Sequence, residues 1–434
     1  MHAISIFWFR RDLRLNDNAA LYHALKNSKK VLPVFIFDTE ILNDLEDKRD
    51  KRISFIYDTL KKVKNELENL GSSLYVIHSS PIDAFKKLCK EFPEIEAVCT
   101  NHDYEPYALE RDEEIKTFLK ENNINFHSFK DQVIFEKDEI VKPDKSPYIV
   151  YTPYSKKWKE KLNDFYVNPY PTKKYFSSFY QTRPFSFPNI EEIGFIKANY
   201  EVAPKAPDLA VLKNYHKTRD IPAIKGTSNL SVHLRFGTIS IRELVKIALE
   251  QNEKYLNELI WREFYMQILW HFPQVVNQSF RKEYDRIEWR NNEGDFEKWC
   301  NGKTGYPIVD AGMRELNQTG WMHNRVRMIV ASFLTKHLLI DWRWGESYFA
   351  KKLLDYELSS NNGSWQWCAG TGCDASPYFR VFNPYIQTDK FDKDRAYIQK
   401  WVPEYQDPSA YPKPIVEHSF ARKRAIETYQ KALK

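Results

Sequence analysis

The chain has 434 residues, of which 65 are lysine or arginine and 59 aspartate or glutamate, for a net charge of +6. A balance that mildly basic supports a polyanionic partner only where the basic residues cluster. Five cysteines without a close Cys-x-x-Cys pair exclude a disulfide framework and a structural zinc site, and the short apolar opening ISIFWF excludes a secretory signal or membrane span, which predicts a soluble, cytoplasmic protein.

Residues 1–130 alternate short apolar runs at 4–9, 31–37, 74–77, 97–100 and 125–129 with helical stretches such as 54–69 and 81–91. That βαβ rhythm predicts an α/β domain with a doubly wound parallel sheet. No Gly-x-Gly-x-x-Gly follows the first run, so an ordinary dinucleotide site is not expected there. Over 131–200, Pro143, Pro147, Pro153, Pro169, Pro171, Pro184 and Pro188 are expected to interrupt any helix, and the segment reads as a long interdomain linker. Residues 201–434 return to helical periodicity and read as an all-helical domain.

Within that half, KGTSNLSVHLRFG at 225–237 puts hydroxyls and a flexible backbone at the start of a helix, where a phosphate can be held or a plain N-cap formed. In LNELIWREFYMQILWHF, Glu258, Trp261, Arg262 and Tyr265 share one helical face. Burying Glu258 alone would cost several kcal/mol, so it calls for a partner; this face is either a wet Glu258–Arg262 pair or the wall of a pocket. A second face carries Trp321, Asn324, Met328 and Ala331 beside Arg325 and Arg327, with Asp355 or Glu357 within reach as partners for Arg327. The GKT at 302–304 is not a phosphate loop, because Glu297 stands where the loop needs glycine. NNGSWQW at 361–367 sets two indoles among small polar residues, poor ground for a core.

Taken in order, FWFRRDLRLNDN (7–18), KGTSNLS (225–231), NELIWREFY (257–265), GKTGYPIVDAGMRELNQTGWMHNRVRMIVASFL (302–334), DYELSSNNGSWQW (355–367) and PYFRVFNP (377–384) resemble the photolyase/cryptochrome family across nearly the whole chain. The member type it most resembles is a class I photolyase acting on cyclobutane pyrimidine dimers. The resemblance implies an antenna domain at 1–130, a linker at 131–200 and a helical FAD-binding domain at 201–434. FAD would be held by Tyr215, Thr227, Ser228, Asn229, Leu230, Ser231, Tyr255, Glu258, Arg262, Tyr265, Arg327, Asp355, Glu357 and Asn361. Thr227–Ser231 would meet the diphosphate, Asn361 would sit beside the flavin N5, and Arg327 and Asp355 would form an ion pair next to the ring system. Trp365, Trp342 and Trp289 would be the inner, middle and outer members of an electron-hopping chain.

UV-damaged DNA is the implied partner of an expected monomer. Glu258, Trp261, Asn324, Arg325, Met328 and Trp367 would receive the extruded dimer, with Arg219 and Arg380 near phosphates. Reduced FAD would donate one electron to the dimer under light, and Glu258 would stabilise the charge that develops there. Two departures bear on the chromophores. Tyr107 and Ala108 occupy places where folate-binding relatives carry Asn-Glu, which speaks against a folate antenna and leaves a deazaflavin, another flavin or none. Tyr255 stands where some relatives place Trp. The alternatives are a cryptochrome-type photoreceptor and a (6-4) photoproduct photolyase, which would carry a second His where Asn324 follows His323.

Overall fold

All five expected strands form one parallel sheet in the structure, a computed structural model describing residues 3–434. The strands are β1 (Ile4–Phe9), β2 (Val31–Asp38), β3 (Tyr75–Ser79), β4 (Ile95–Asn101) and β5 (Asn125–Phe129), in the order β3-β2-β1-β4-β5. Ile6 pairs with Leu32 on one side and Val98 on the other. Every residue of β1 and β2 is buried, so polar alternation is absent, as a sheet with helices on both faces requires. The helices Ala19–Asn27, Lys51–Glu68 and Pro81–Glu91 each begin at a side chain that accepts from the first turn: Asn18, Asp50 and Ser80. Trp8 and Val34 of the sheet meet Phe85 and Leu88 of Pro81–Glu91 and Leu119 of the helix Pro106–Glu121 in one core.

The chain divides into two compact units. The first runs to Glu136 and adds Lys161–Ala206 and Leu230–Ile247; the second comprises Lys137–Glu160, Pro207–Asn229 and Ala248–Lys434. A buried polar cluster knits the distant segments of the first unit. Arg242 donates to Asp17 and Asp131, and Arg14 donates to Asp131, at 2.7–2.8 Å.

The second unit is helical, and its core gathers Trp299, Val330, Leu334, Trp342, Phe349 and Trp365. Here one sequence expectation is corrected. Pro153 does not interrupt a helix but lies in the first turn of the helix Tyr151–Lys161, where the missing N–H has no partner to lose. That helix is fixed to the helix Glu253–His271 by the Trp158 indole, which donates to Glu263 Oε1 at 2.6 Å. No helix among the described residues is long and apolar enough to cross a membrane.

Candidate functional site

The face predicted for Glu253–His271 is built, but its charges pair outside the helix. Glu258 accepts from Arg219, and Arg262 Nε donates to Glu357 Oε2 at 3.1 Å. The Glu258–Arg262 pair considered above is therefore not made. Burial pushes the Glu258 carboxyl above the usual range, and Arg219 opposes that shift. Trp261 and Tyr265 are half-buried on the same face, with their rings 5.5 Å apart. Tyr265 lies against Gly363, where a Cβ would come within 2.2 Å of its ring, so glycine there is a condition of the contact.

The helix Asn324–Ser332 supplies the second face. Its N-cap is His323, whose Nδ1 accepts from the Arg325 backbone at 3.1 Å while the buried Nε2 has no partner. Burial holds the His323 imidazole neutral, with its pKa down to about 4. Asn324 is exposed. Arg325 donates to Asp220 Oδ1 at 2.7 Å and lies 3.7 Å from the Met328 sulfur. Arg219 and Asp220, adjacent at the end of the helix Leu209–Thr218, thus tie the two faces together. Arg219, assigned from the resemblance to phosphates, is engaged with Glu258, whereas Arg380 is exposed with its guanidinium over Phe382.

Arg327 donates to both oxygens of Asp355, at 2.8 and 3.1 Å, which makes the ion pair expected for it. In the helix Leu358–Ala369, Asn361 Nδ2 donates to the carbonyl and carboxylate oxygens of Glu346, at 3.1 and 2.8 Å. The amide nitrogen is thereby used, and Oδ1 is left to accept. Glu346 was not legible in the sequence as a partner of Asn361, since fifteen residues and a turn separate them.

Trp365 is buried against Phe349, and Gly345 makes room for it, since a Cβ there would meet its ring at 2.2 Å. Trp342 is buried with its indole N–H unpaired and the Arg343 guanidinium 4.7 Å from its ring centre. Trp289 is half-buried edge-on to Tyr429, on a segment whose neighbour Asn291 accepts from the Asp341 backbone, next to Trp342. Trp367 is half-buried on the edge of the core.

Tyr215 and Tyr255 pack edge to face at 5.2 Å, and the Tyr255 hydroxyl donates to Ser228 Oγ at 3.2 Å. Thr227 Oγ1 donates to Asn229 Oδ1 at 3.0 Å, while Asn229 takes a left-handed backbone (φ 52°). Leu230 and Ser231 belong to the first unit and start the helix Ser231–Arg235. That helix has only five residues.

These residues fit a flavin. The Asn361 oxygen is available as an acceptor, and the Ser359 hydroxyl is buried without a partner. The Arg327–Asp355 pair supplies adjacent charges of both signs. Among the described residues no group of His, Cys, Asp and Glu gathers to hold a metal ion.

Residues 5–174 match the family profile of DNA photolyase, and residues 255–410 match that of the FAD binding domain of DNA photolyase. The deoxyribodipyrimidine photo-lyase of Alkalihalophilus pseudofirmus is 36% identical over 478 residues, covering 99% of this chain and 98% of the relative. A class III photolyase from Agrobacterium tumefaciens superposes with a TM-score of 0.86 at 33% identity, over 100% of this chain and 98% of that one. An archaeal photolyase from Sulfolobus tokodaii, solved with two FAD molecules, gives 0.82 at 35% identity, over 99% and 100%.

Proposed function

The chain belongs to the photolyase/cryptochrome family and is a light-dependent DNA repair flavoenzyme, and from that premise we propose that its lesion is the cyclobutane pyrimidine dimer. The observation that carries the proposal is Glu258. It is a carboxylate with a raised pKa, held by Arg219 on the same helical face as the half-buried Trp261. An acid so placed can hydrogen-bond a pyrimidine carbonyl and stabilise charge that develops on it. Its raised pKa also brings the protonated, donating form nearer to neutral pH.

Trp261, Met328 and Trp367 offer apolar and flat surface to the two extruded, crosslinked pyrimidines, and Asn324 and Arg325 offer donors. A crosslinked dimer has already lost stacking, so its extrusion costs less than that of intact bases, which gives selectivity. Bound FAD in its reduced form would supply the chemistry, a one-electron transfer under light that is reversed at the end, so no reductant would be consumed. Asn361, its amide nitrogen engaged by Glu346, would offer its oxygen to the flavin as an acceptor, and Arg327 and Asp355 would supply the ion pair. Tyr215, Tyr255, Thr227 and Ser228 line the other part of its site. Trp365, Trp342 and Trp289 would pass electrons inward to an oxidised flavin.

The second chromophore, where one is bound, is a flavin or deazaflavin rather than a folate. Supporting this, the Tyr107 hydroxyl donates to Asp38 at 2.6 Å in place of the folate-binding Asn-Glu. The absorption spectrum of the denatured extract identifies it; a released folate would overturn this part.

The function itself is tested with purified, fully reduced protein. In the dark it should bind a dimer-containing oligonucleotide at least tenfold more tightly than the intact sequence, as a ratio that flipping selectivity supports. Binding should weaken as salt rises, and blue light should restore thymine absorbance. Equal binding to both DNAs with no restored absorbance would refute dimer repair.

A further inference from the structure

Tyr151 opens a helix in the segment that the sequence presents as a connector, yet it makes the tightest ring contact of the candidate lesion face. Its ring lies flat on Trp261, with centroids 3.7 Å apart and planes 5° from parallel. Its hydroxyl donates to the Asn257 carbonyl at 2.9 Å, one turn before Trp261 on the same helix. Its backbone N–H donates to Asp374 Oδ2 at 3.0 Å, in the loop that follows Trp367. One residue is therefore bonded to the helix of Trp261 and to the segment just beyond Trp367.

Ordinary core packing is a poor account of this contact. The neighbouring rings of Tyr154 and Phe264 are 1% and 0% exposed, whereas Tyr151 and Trp261 both keep part of their surface open. The preceding Ile149 and Val150 are exposed as well. A flat stack retained at a surface fixes the orientation of an indole that would otherwise sample several rotamers.

We infer that Tyr151 is a positioning residue for DNA repair, holding the Trp261 indole in the plane that receives the extruded pyrimidine pair. The inference rests on the dimer-repair reading and assigns its selectivity partly to a residue outside the motifs that define the site. An indole fixed before binding need not be ordered by the lesion, whereas intact DNA, which does not reach it, gains nothing from the stack.

Dark binding of a dimer-containing oligonucleotide and its intact counterpart tests this without any turnover. Tyr151→Ala should lower the ratio of the two affinities by about three- to tenfold, the cost of ordering one large side chain, with binding to intact DNA unchanged. Tyr151→Phe keeps the ring and should stay within about twofold of the parent, well under the loss of a full ring contact. FAD content and its visible spectrum should be the same in all three. An unchanged ratio in Tyr151→Ala, or a Phe variant as poor as Ala, overturns the inference while dimer repair stands. A parent protein with no preference for damaged DNA overturns both. If Tyr151→Ala does not fold, Tyr151→Leu, which fills the space without a flat face, decides by the same ratio.

Discussion

In the proposed function, Glu258 and Trp342 serve different steps. Glu258 keeps its carboxyl beside Arg219 instead of forming the local pair with Arg262, because Glu357 takes the latter guanidinium. Glu258→Ala should lower the yield of repair per absorbed photon by about tenfold or more, the scale of losing one charge-stabilising group. Dark binding of damaged DNA should fall by less, and a larger loss in binding than in yield would reduce Glu258 to an anchoring group. Trp342 is buried away from any DNA surface. Trp342→Phe should slow photoreduction of the oxidised flavin by at least about tenfold, equivalent to about 1.4 kcal/mol, and leave repair by pre-reduced enzyme within twofold. Flash absorbance at the flavin band separates the two, and equal loss of both would remove Trp342 from the electron path.

Two buried histidines contribute to the acid sensitivity of the second unit. His323 caps Asn324–Ser332 through Nδ1, and burial holds its pKa down at about 4 against an ordinary 6.5. His337, stacked on Phe333, is lowered to about 3 by the same cause. A folded pKa below the unfolded one means that the unfolded chain takes up the proton first as pH falls. Each contribution is complete above pH 6.5 and is lost as pH falls, toward pH 4 for His323 and pH 3 for His337, at up to about 1.4 kcal/mol per pH unit for each histidine. Urea midpoints across that range should fall accordingly. His323→Asn preserves a cap-competent side chain and should shallow the fall; an unchanged slope would show that His323 titrates alike in both states.

At the scale of the molecule, the first unit is closed by charges far apart in the chain. Arg14 and Arg242 hold Asp131 below the usual carboxylate range against its burial. Such a depressed carboxylate adds stability above its unfolded pKa near 3.8 and loses it as pH drops through the folded value. Asp131→Asn leaves two cations short of a buried partner and should cost about 3–5 kcal/mol, read as a lower urea midpoint at neutral pH. The loss should shrink in acid, where the parent Asp131 is itself protonated. A midpoint within error of the parent would mean that solvent reaches the cluster.

What the sequence determined by itself was whatever is local or periodic. The apolar runs and helical spacing announced a doubly wound sheet and a helical half, because burial must follow the repeat of the element. Long ordered motifs announced the family. Tertiary structure alone decided the partners. Arg219 rather than Arg262 meets Glu258, Glu346 turns Asn361, and Tyr151, 110 positions before Trp261, lies flat on it. Pro153 likewise sits inside a helix, because only a fold that starts the helix two residues earlier makes its missing donor harmless. Hydrogen bonds and ring contacts depend on distances of a few ångströms between segments remote in the chain, and residue spacing carries no record of those distances.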